Sequence, residues 1–113
     1  MHILVAGGNG FIGSHLVPEL LADGHEVTVL ARTPDSDAMP DGVETVSGDI
    51  TAYDSIESAV AGHDAVVNLV ALSPLFKPKG GDKMHDEVHR HGTENLVRAA
   101  EAGGVDRFLQ LSA

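Results

Sequence analysis

The chain begins with an apolar run, His2-Ile3-Leu4-Val5-Ala6. It passes directly into Gly7-Gly8-Asn9-Gly10-Phe11-Ile12-Gly13, a G-x-x-G-x-x-G spacing, and then into the helical pattern Ser14-His15-Leu16-Val17-Pro18-Glu19-Leu20-Leu21. A strand that turns through glycines into a helix brings free backbone N–H groups and the positive end of the helix dipole to one point, where a pyrophosphate can sit. Gly7 allows the tight turn, Gly10 lets a phosphate approach the main chain, and Gly13 lets the helix lie close to the strand. Glycines also mark ordinary turns, so a βα turn without a ligand is the bland alternative. The flanking strand and helix are the context in which the motif acquires its dinucleotide meaning.

Strand and helix signals alternate along the rest of the chain. Strands are expected at His2–Ala6, Glu26–Ala31, Val43–Ser47, Ala65–Val70 and Arg107–Leu111. Helices are expected at Phe11–Ala22, Asp54–Ala61 and Lys83–Ala102. Gly24 suits a left-handed helix cap, and Pro18 is awkward inside the first helix because it lacks a backbone donor. The nearly continuous apolar run at Ala65–Val70 reads as a strand buried on both faces. The expected fold is an α/β, doubly wound parallel sheet (a Rossmann fold) of about five strands with helices on both faces.

With 113 residues, one domain is expected, and no internal boundary, repeat or low-complexity tract is visible. No run of 18 or more apolar residues occurs, so no membrane span is expected. The first residues lack the pattern of a secretory signal. The absence of cysteine excludes disulfides and thiolate chemistry and fits a cytoplasmic protein. Seventeen acidic residues face seven basic ones, for a net charge of −10, so nucleic-acid binding through a basic patch is not expected. The acids are spread along the chain, and lysine occurs only at positions 77, 79 and 83. That balance is halophile-like, since high internal salt screens the self-repulsion of an acidic surface.

Four segments together resemble the extended and atypical short-chain dehydrogenase/reductases, the NAD-dependent epimerase/dehydratase family. They are Gly7-Gly8-Asn9-Gly10-Phe11-Ile12-Gly13-Ser14-His15-Leu16; Gly48-Asp49-Ile50; Val66-Val67-Asn68-Leu69-Val70-Ala71; and Gly92-Thr93-Glu94-Asn95-Leu96-Val97 with Gly104-Val105-Asp106-Arg107-Phe108. The match at Gly48-Asp49-Ile50 argues against a phosphate-binding domain of another superfamily. Around Asn68-Leu69-Val70 and Phe108–Ala113 the wording is most similar to the branch of the 39-kDa accessory subunit of respiratory complex I.

The resemblance implies that Gly7, Gly10, Phe11, Ile12 and Gly13 hold the pyrophosphate. It implies that Asp49 and Ile50 lie beside adenine, with the Asp49 carboxylate accepting from the exocyclic amine. Leu69, Val70 and Ala71 would lie along the adenosine ribose and phosphates. Without the family, Asp49 reads equally well as a turn residue and Leu69–Ala71 as core. At the end of the second strand, where NAD-binding relatives carry an acid for the ribose hydroxyls, Ala31 stands and Arg32 follows. Arginine cannot accept from a 2′-hydroxyl but pairs with a 2′-phosphate, and Thr33 adds a hydroxyl. NADP is therefore favoured over NAD; an ordinary solvated charge is the other reading of Arg32.

The family's catalytic Tyr-x-x-x-Lys is absent from these residues. Tyr53, the single tyrosine, is followed four places later by Glu57, and Ser112 stands about one residue early for the family's Ser/Thr. The chain thus reads as the amino-terminal dinucleotide-binding part of a reductase or nucleotide-sugar epimerase-like oxidoreductase, truncated before the catalytic and substrate portion. A non-catalytic dinucleotide-binding structural or sensor protein is the alternative. The substrate is an unidentified small molecule, and the resemblance implies homodimers formed through helices such as Lys83–Ala102. His89 replaces a family Asn, which leaves the substrate side open. His85 and His89 share a helical face, but no third ligand accompanies them, so no metal is expected. Lys77, Lys79 and Lys83 read as an exposed loop. Unfolding measured against KCl concentration tests the high-salt reading, with stabilisation by salt expected and full stability at low salt counting against it.

Overall fold

The structure, a computed structural model, describes residues 1–7, 11–32, 37, 39–69 and 81–110, with backbone alone at residues 11, 12 and 81–89. Five strands, β1 (His2–Ala6), β2 (Glu26–Ala31), β3 (Val43–Ser47), β4 (Ala65–Asn68) and β5 (Arg107–Gln110), alternate with α1 (Phe11–Ala22), α2 (Tyr53–Val60) and α3 (Gly81–Ala102). All pairings are parallel, in the order β3-β2-β1-β4-β5. β1 is central, with Val5 opposite Val29 on one side and Val67 on the other.

The side chains of β1 alternate between two cores. Leu4 and Ala6 join Leu30 and Val66 on the face covered by α2 and α3, where Ile56, Val60, Leu96 and Ala99 pack. Ile3 and Val5 join Val27, Val29, Ala65 and Val67 on the face that α1 covers through Val17. Each Leu, Ile or Val side chain among them fully removed from water contributes about 1.5–3 kcal/mol. A strand buried on both faces needs apolar residues at every position, which is the pattern of Ile3–Ala6.

The boundaries of β1, α1, β2 and β3 coincide with expectation. β4 ends at Asn68, opposite Ala6, after which Gly7 turns away from β1 with φ +79°; Val70 lies outside the described residues. α2 is displaced by one residue at each end and starts after Ala52, which supplies no side-chain cap. α3 starts two residues early, at Gly81, where the cost of glycine in a helix is confined to the first turn. Leu111 lies outside the described residues. α1 continues through Pro18, which is exposed on the helix and lacks the backbone donor of the other residues there. Gly24 has φ +87° and closes α1 as a left-handed cap, its N–H donating to the Leu21 carbonyl.

α2 and α3 pack side by side, and their carboxyl ends meet at a glycine that the sequence marks only as a helix terminator. A Cβ on Gly103 would stand 2.7 Å from Ala61 Cα and 3.1 Å from Ala61 Cβ, so the two backbones are in direct contact. Farther along the same pair the Arg98 guanidinium lies 4.4 Å over the Tyr53 ring. Gly103→Ala is expected to destabilise the protein by about 1–3 kcal/mol through this overpacking. Urea denaturation measures it, and an unchanged midpoint contradicts the close contact.

Candidate dinucleotide site

In parallel α/β sheets, ligands bind beyond the carboxyl ends of the strands, where the chain leaves neighbouring strands in opposite directions. Here that point lies between β1, whose chain continues through α1 to β2, and β4, whose chain continues through α3 to β5. Gly7 leaves β1 in a left-handed conformation open to glycine, and its N–H donates to the Leu30 carbonyl at 2.9 Å. Leu69 is held alongside, its N–H donating to the Ala6 carbonyl at 2.8 Å. α1 starts at Phe11, and Gly13 in its first turn is buried. That turn carries no acidic residue, although the whole chain carries net charge −10. The helix therefore presents its positive end without a competing carboxylate.

The next two strands supply the opposite wall. Gly48 follows β3 and its N–H donates to the Ala31 carbonyl at 3.0 Å, bringing the Asp49–Ile50 loop beside the end of β2. Arg32 is exposed just past β2, and its carbonyl accepts from Ser47 Oγ at 3.1 Å. Asp49 Oδ1 accepts from Thr51 N–H at 2.9 Å and Thr51 Oγ1 at 2.7 Å. The Asp49 N–H donates to Ser55 Oγ at 2.9 Å. Partial burial raises the Asp49 pKa, but the two Thr51 bonds and the nearby Arg32 charge outweigh it, holding the carboxyl below its ordinary value. Asp49 is thus an anion with Oδ1 engaged by its own turn, while Oδ2 has no partner among the described residues. The turn role and a ligand role are compatible on this one side chain.

The fold therefore gathers Gly7, Gly13, Arg32, Asp49, Ile50 and Leu69 at one edge of the sheet. The start of α1 at Phe11 and Ile12 lies there too. Gly10, Thr33, Val70 and Ala71 lie outside the described residues, as do the side chains of Phe11, Ile12, Lys83, His85 and His89, and Lys77, Lys79, Ser112 and Ala113. Among the described residues no group of three or more His, Asp or Glu side chains could hold a metal ion, and no helix is long and apolar enough to cross a membrane.

A sequence model of a family described as NAD(P)H-binding matches residues 7–113. The chain belongs to this NAD(P)H-binding family. Its relatives are short-chain dehydrogenase/reductases and epimerase/dehydratases. A 3-beta-hydroxysteroid dehydrogenase of Mycolicibacterium neoaurum is 39% identical over 95% of this chain and 30% of its own length. The low-salt glycan biosynthesis protein Agl12 of Haloferax volcanii is 36% identical over 99% of this chain and 39% of its own length. Among solved structures, the UDP-glucose 4-epimerase of Thermus thermophilus in complex with NAD superposes with TM-score 0.80 and 34% identity, covering 96% of this chain and 36% of that one. A UDP-galactose 4-epimerase reaches TM-score 0.85 at 26% identity, over 100% of this chain and 38% of the other. The chain spans 30–39% of the length of these four proteins. It is an NAD(P)-binding domain of the dehydrogenase and epimerase type.

Three residues that shape this edge were given no site role from the sequence. Thr51 braces Asp49. Asn68, fully buried at the end of β4, donates to Gln110 Oε1 at 2.8 Å and Thr93 Oγ1 at 3.3 Å. Asn95, 6% exposed, donates to the Ile50 carbonyl at 2.7 Å. The signal that could have found the two asparagines is a lone polar residue inside an apolar pattern. Asn68 ends the run Ala65-Val66-Val67, and Asn95 sits on the buried stripe with Gly92, Leu96 and Ala99.

Because the folded pKa of Asp49 is lowered, its contribution to stability is complete above its ordinary value of 3.8 and is lost as pH falls through the lower folded value. Thr51→Val removes the hydroxyl bond and keeps the backbone one. The Asp49 carboxyl titration, followed by NMR, is then expected to move up toward 3.8. An unchanged midpoint contradicts the role given to Thr51.

Proposed function

We propose that this domain binds NADP(H) in preference to NAD(H) and serves as the cofactor-binding part of a reductase or epimerase-like oxidoreductase. The observation that carries the preference is Arg32, a cation standing just past β2 where an acid would serve the ribose hydroxyls. The guanidinium suits a 2′-phosphate as a forked, permanently charged donor. Ser47, bonded to the Arg32 carbonyl, and the Asp49 anion alongside support its placement.

The structure offers a fit for a dinucleotide. The Gly7 turn, the acid-free start of α1 and buried Gly13 suit the pyrophosphate, to which Gly10, Phe11 and Ile12 would also contribute. Asp49 through Oδ2 and Ile50 suit adenine, and Leu69, with Val70 and Ala71 beyond it, suits the adenosine ribose and phosphates. When bound, the nicotinamide supplies hydride donation or acceptance. The chain's own groups bind and orient the adenosine and pyrophosphate. Residues 1–113 supply no Tyr-x-x-x-Lys, so proton transfer to a substrate falls to groups other than these. By their names, one of the relatives above acts on hydroxysteroids and two on UDP-sugars, and a small hydroxyl- or carbonyl-bearing molecule is the substrate class proposed here. The acidic composition supports operation at high salt inside the cell.

Calorimetric titration with NADPH and NADH tests the preference. NADPH is expected to bind more tightly. Arg32→Asp is expected to weaken NADPH at least about tenfold, the scale of a lost charge-assisted hydrogen bond, with NADH affected less. Tighter NADH binding by the unaltered protein overturns the assignment.

A further inference from the structure

The motif Gly92-Thr93-Glu94-Asn95 on α3 has no direct place in the cofactor cradle, yet three of its residues reach that cradle from behind. Gly92 is buried, and a Cβ there would overlap Ile50 Cδ1 and stand 2.6 Å from Ile50 Cγ1. The missing side chain is the space that Ile50 fills. Asn95 Nδ2 donates to the Ile50 carbonyl at 2.7 Å in a buried setting. Thr93 Oγ1 accepts from Asn68, the residue immediately before Leu69. One turn of α3 thus holds both the loop after β3 and the end of β4.

The bonds of Asp49 to Thr51 and Ser55 lie within residues 49–55 and shape the loop internally. Among the described residues, two hydrogen bonds tie the loop to the rest of the fold: Gly48 N–H to the Ala31 carbonyl, and Asn95 to Ile50. The first sets the entry of the loop. The second holds the carbonyl of Ile50, the residue that follows Asp49.

We propose that Asn95 is a positioning residue for the adenine half of the dinucleotide, holding Ile50 through its carbonyl so that Asp49 meets the exocyclic amine. This rests on the assignment of Asp49 and Ile50 to adenine. A side chain that only stabilised the fold would affect all ligands of the site alike. A side chain that aims Asp49 affects recognition of the amine in particular.

The experiment compares the affinity of NADPH with that of its hypoxanthine analogue, which lacks the exocyclic amine. Unaltered protein is expected to prefer NADPH by about tenfold, the effect of leaving a charged acceptor unpaired. Asp49→Ala is expected to abolish that preference, and Asn95→Leu, which keeps the shape without the donor, to cut it to less than about threefold. Asn95→Ser retains a shorter donor and leaves room for a water; it is expected to lie between, and it serves if the leucine variant does not fold. Asn95 variants that weaken both ligands equally, leaving the ratio unchanged, overturn the proposal. If Asp49→Ala itself leaves the ratio unchanged, the adenine assignment fails, and the role of Asn95 fails with it.

Discussion

Everything at the functional edge depends on where β1 stops. β1 is the central strand, hydrogen-bonded on both sides and buried on both faces from Ile3 to Ala6. At Gly7 the backbone enters a positive-φ conformation, and its N–H is captured by the Leu30 carbonyl of the neighbouring strand. The register of β1 with β4 ends at Ala6 and Asn68, just before this exit. A side chain at Gly7 would strain this left-handed turn.

The electrostatics of this edge run against those of the chain as a whole. A protein of net charge −10 repels polyanions at long range. Binding of a phosphorylated dinucleotide therefore relies on local, oriented groups. The acid-free start of α1 and Arg32 beyond β2 are the groups proposed to provide them, and Asp49, held ionised by Thr51 and Arg32, is proposed as an acceptor for the base. Salt that screens the global repulsion leaves such short-range contacts largely intact.

Much of this was legible in the residues themselves. The glycine turn, the strands β1 to β3 and helix α1 follow from apolar period and turn chemistry, both local properties, and their limits agree with the structure. Asp49, Arg32 and Leu69 could be placed at one edge because parallel topology sends every strand's carboxyl end the same way. The supporting contacts were not legible, since each depends on a partner far along the chain. Asn95 meets Ile50 across 45 positions, and Asn68 meets Gln110 across 42. Gly92 and Gly103 looked like a motif glycine and a helix stop; their close contacts with Ile50 and Ala61 exist only once α3 is laid against α2 and the sheet.

The central claim is that the carboxyl edge around Gly7 receives the dinucleotide. Titrating NADP into isotopically labelled protein and following backbone amide resonances tests it most directly. Saturable shifts are expected at Gly7, at Phe11–Gly13, at Gly48–Ile50 and at Leu69. The opposite edge, where His2 N–H donates to Asp64 and the His2 ring meets Glu26, is expected to stay still. Shifts confined to His2, His25 and Asp64, or none at millimolar ligand, would contradict it.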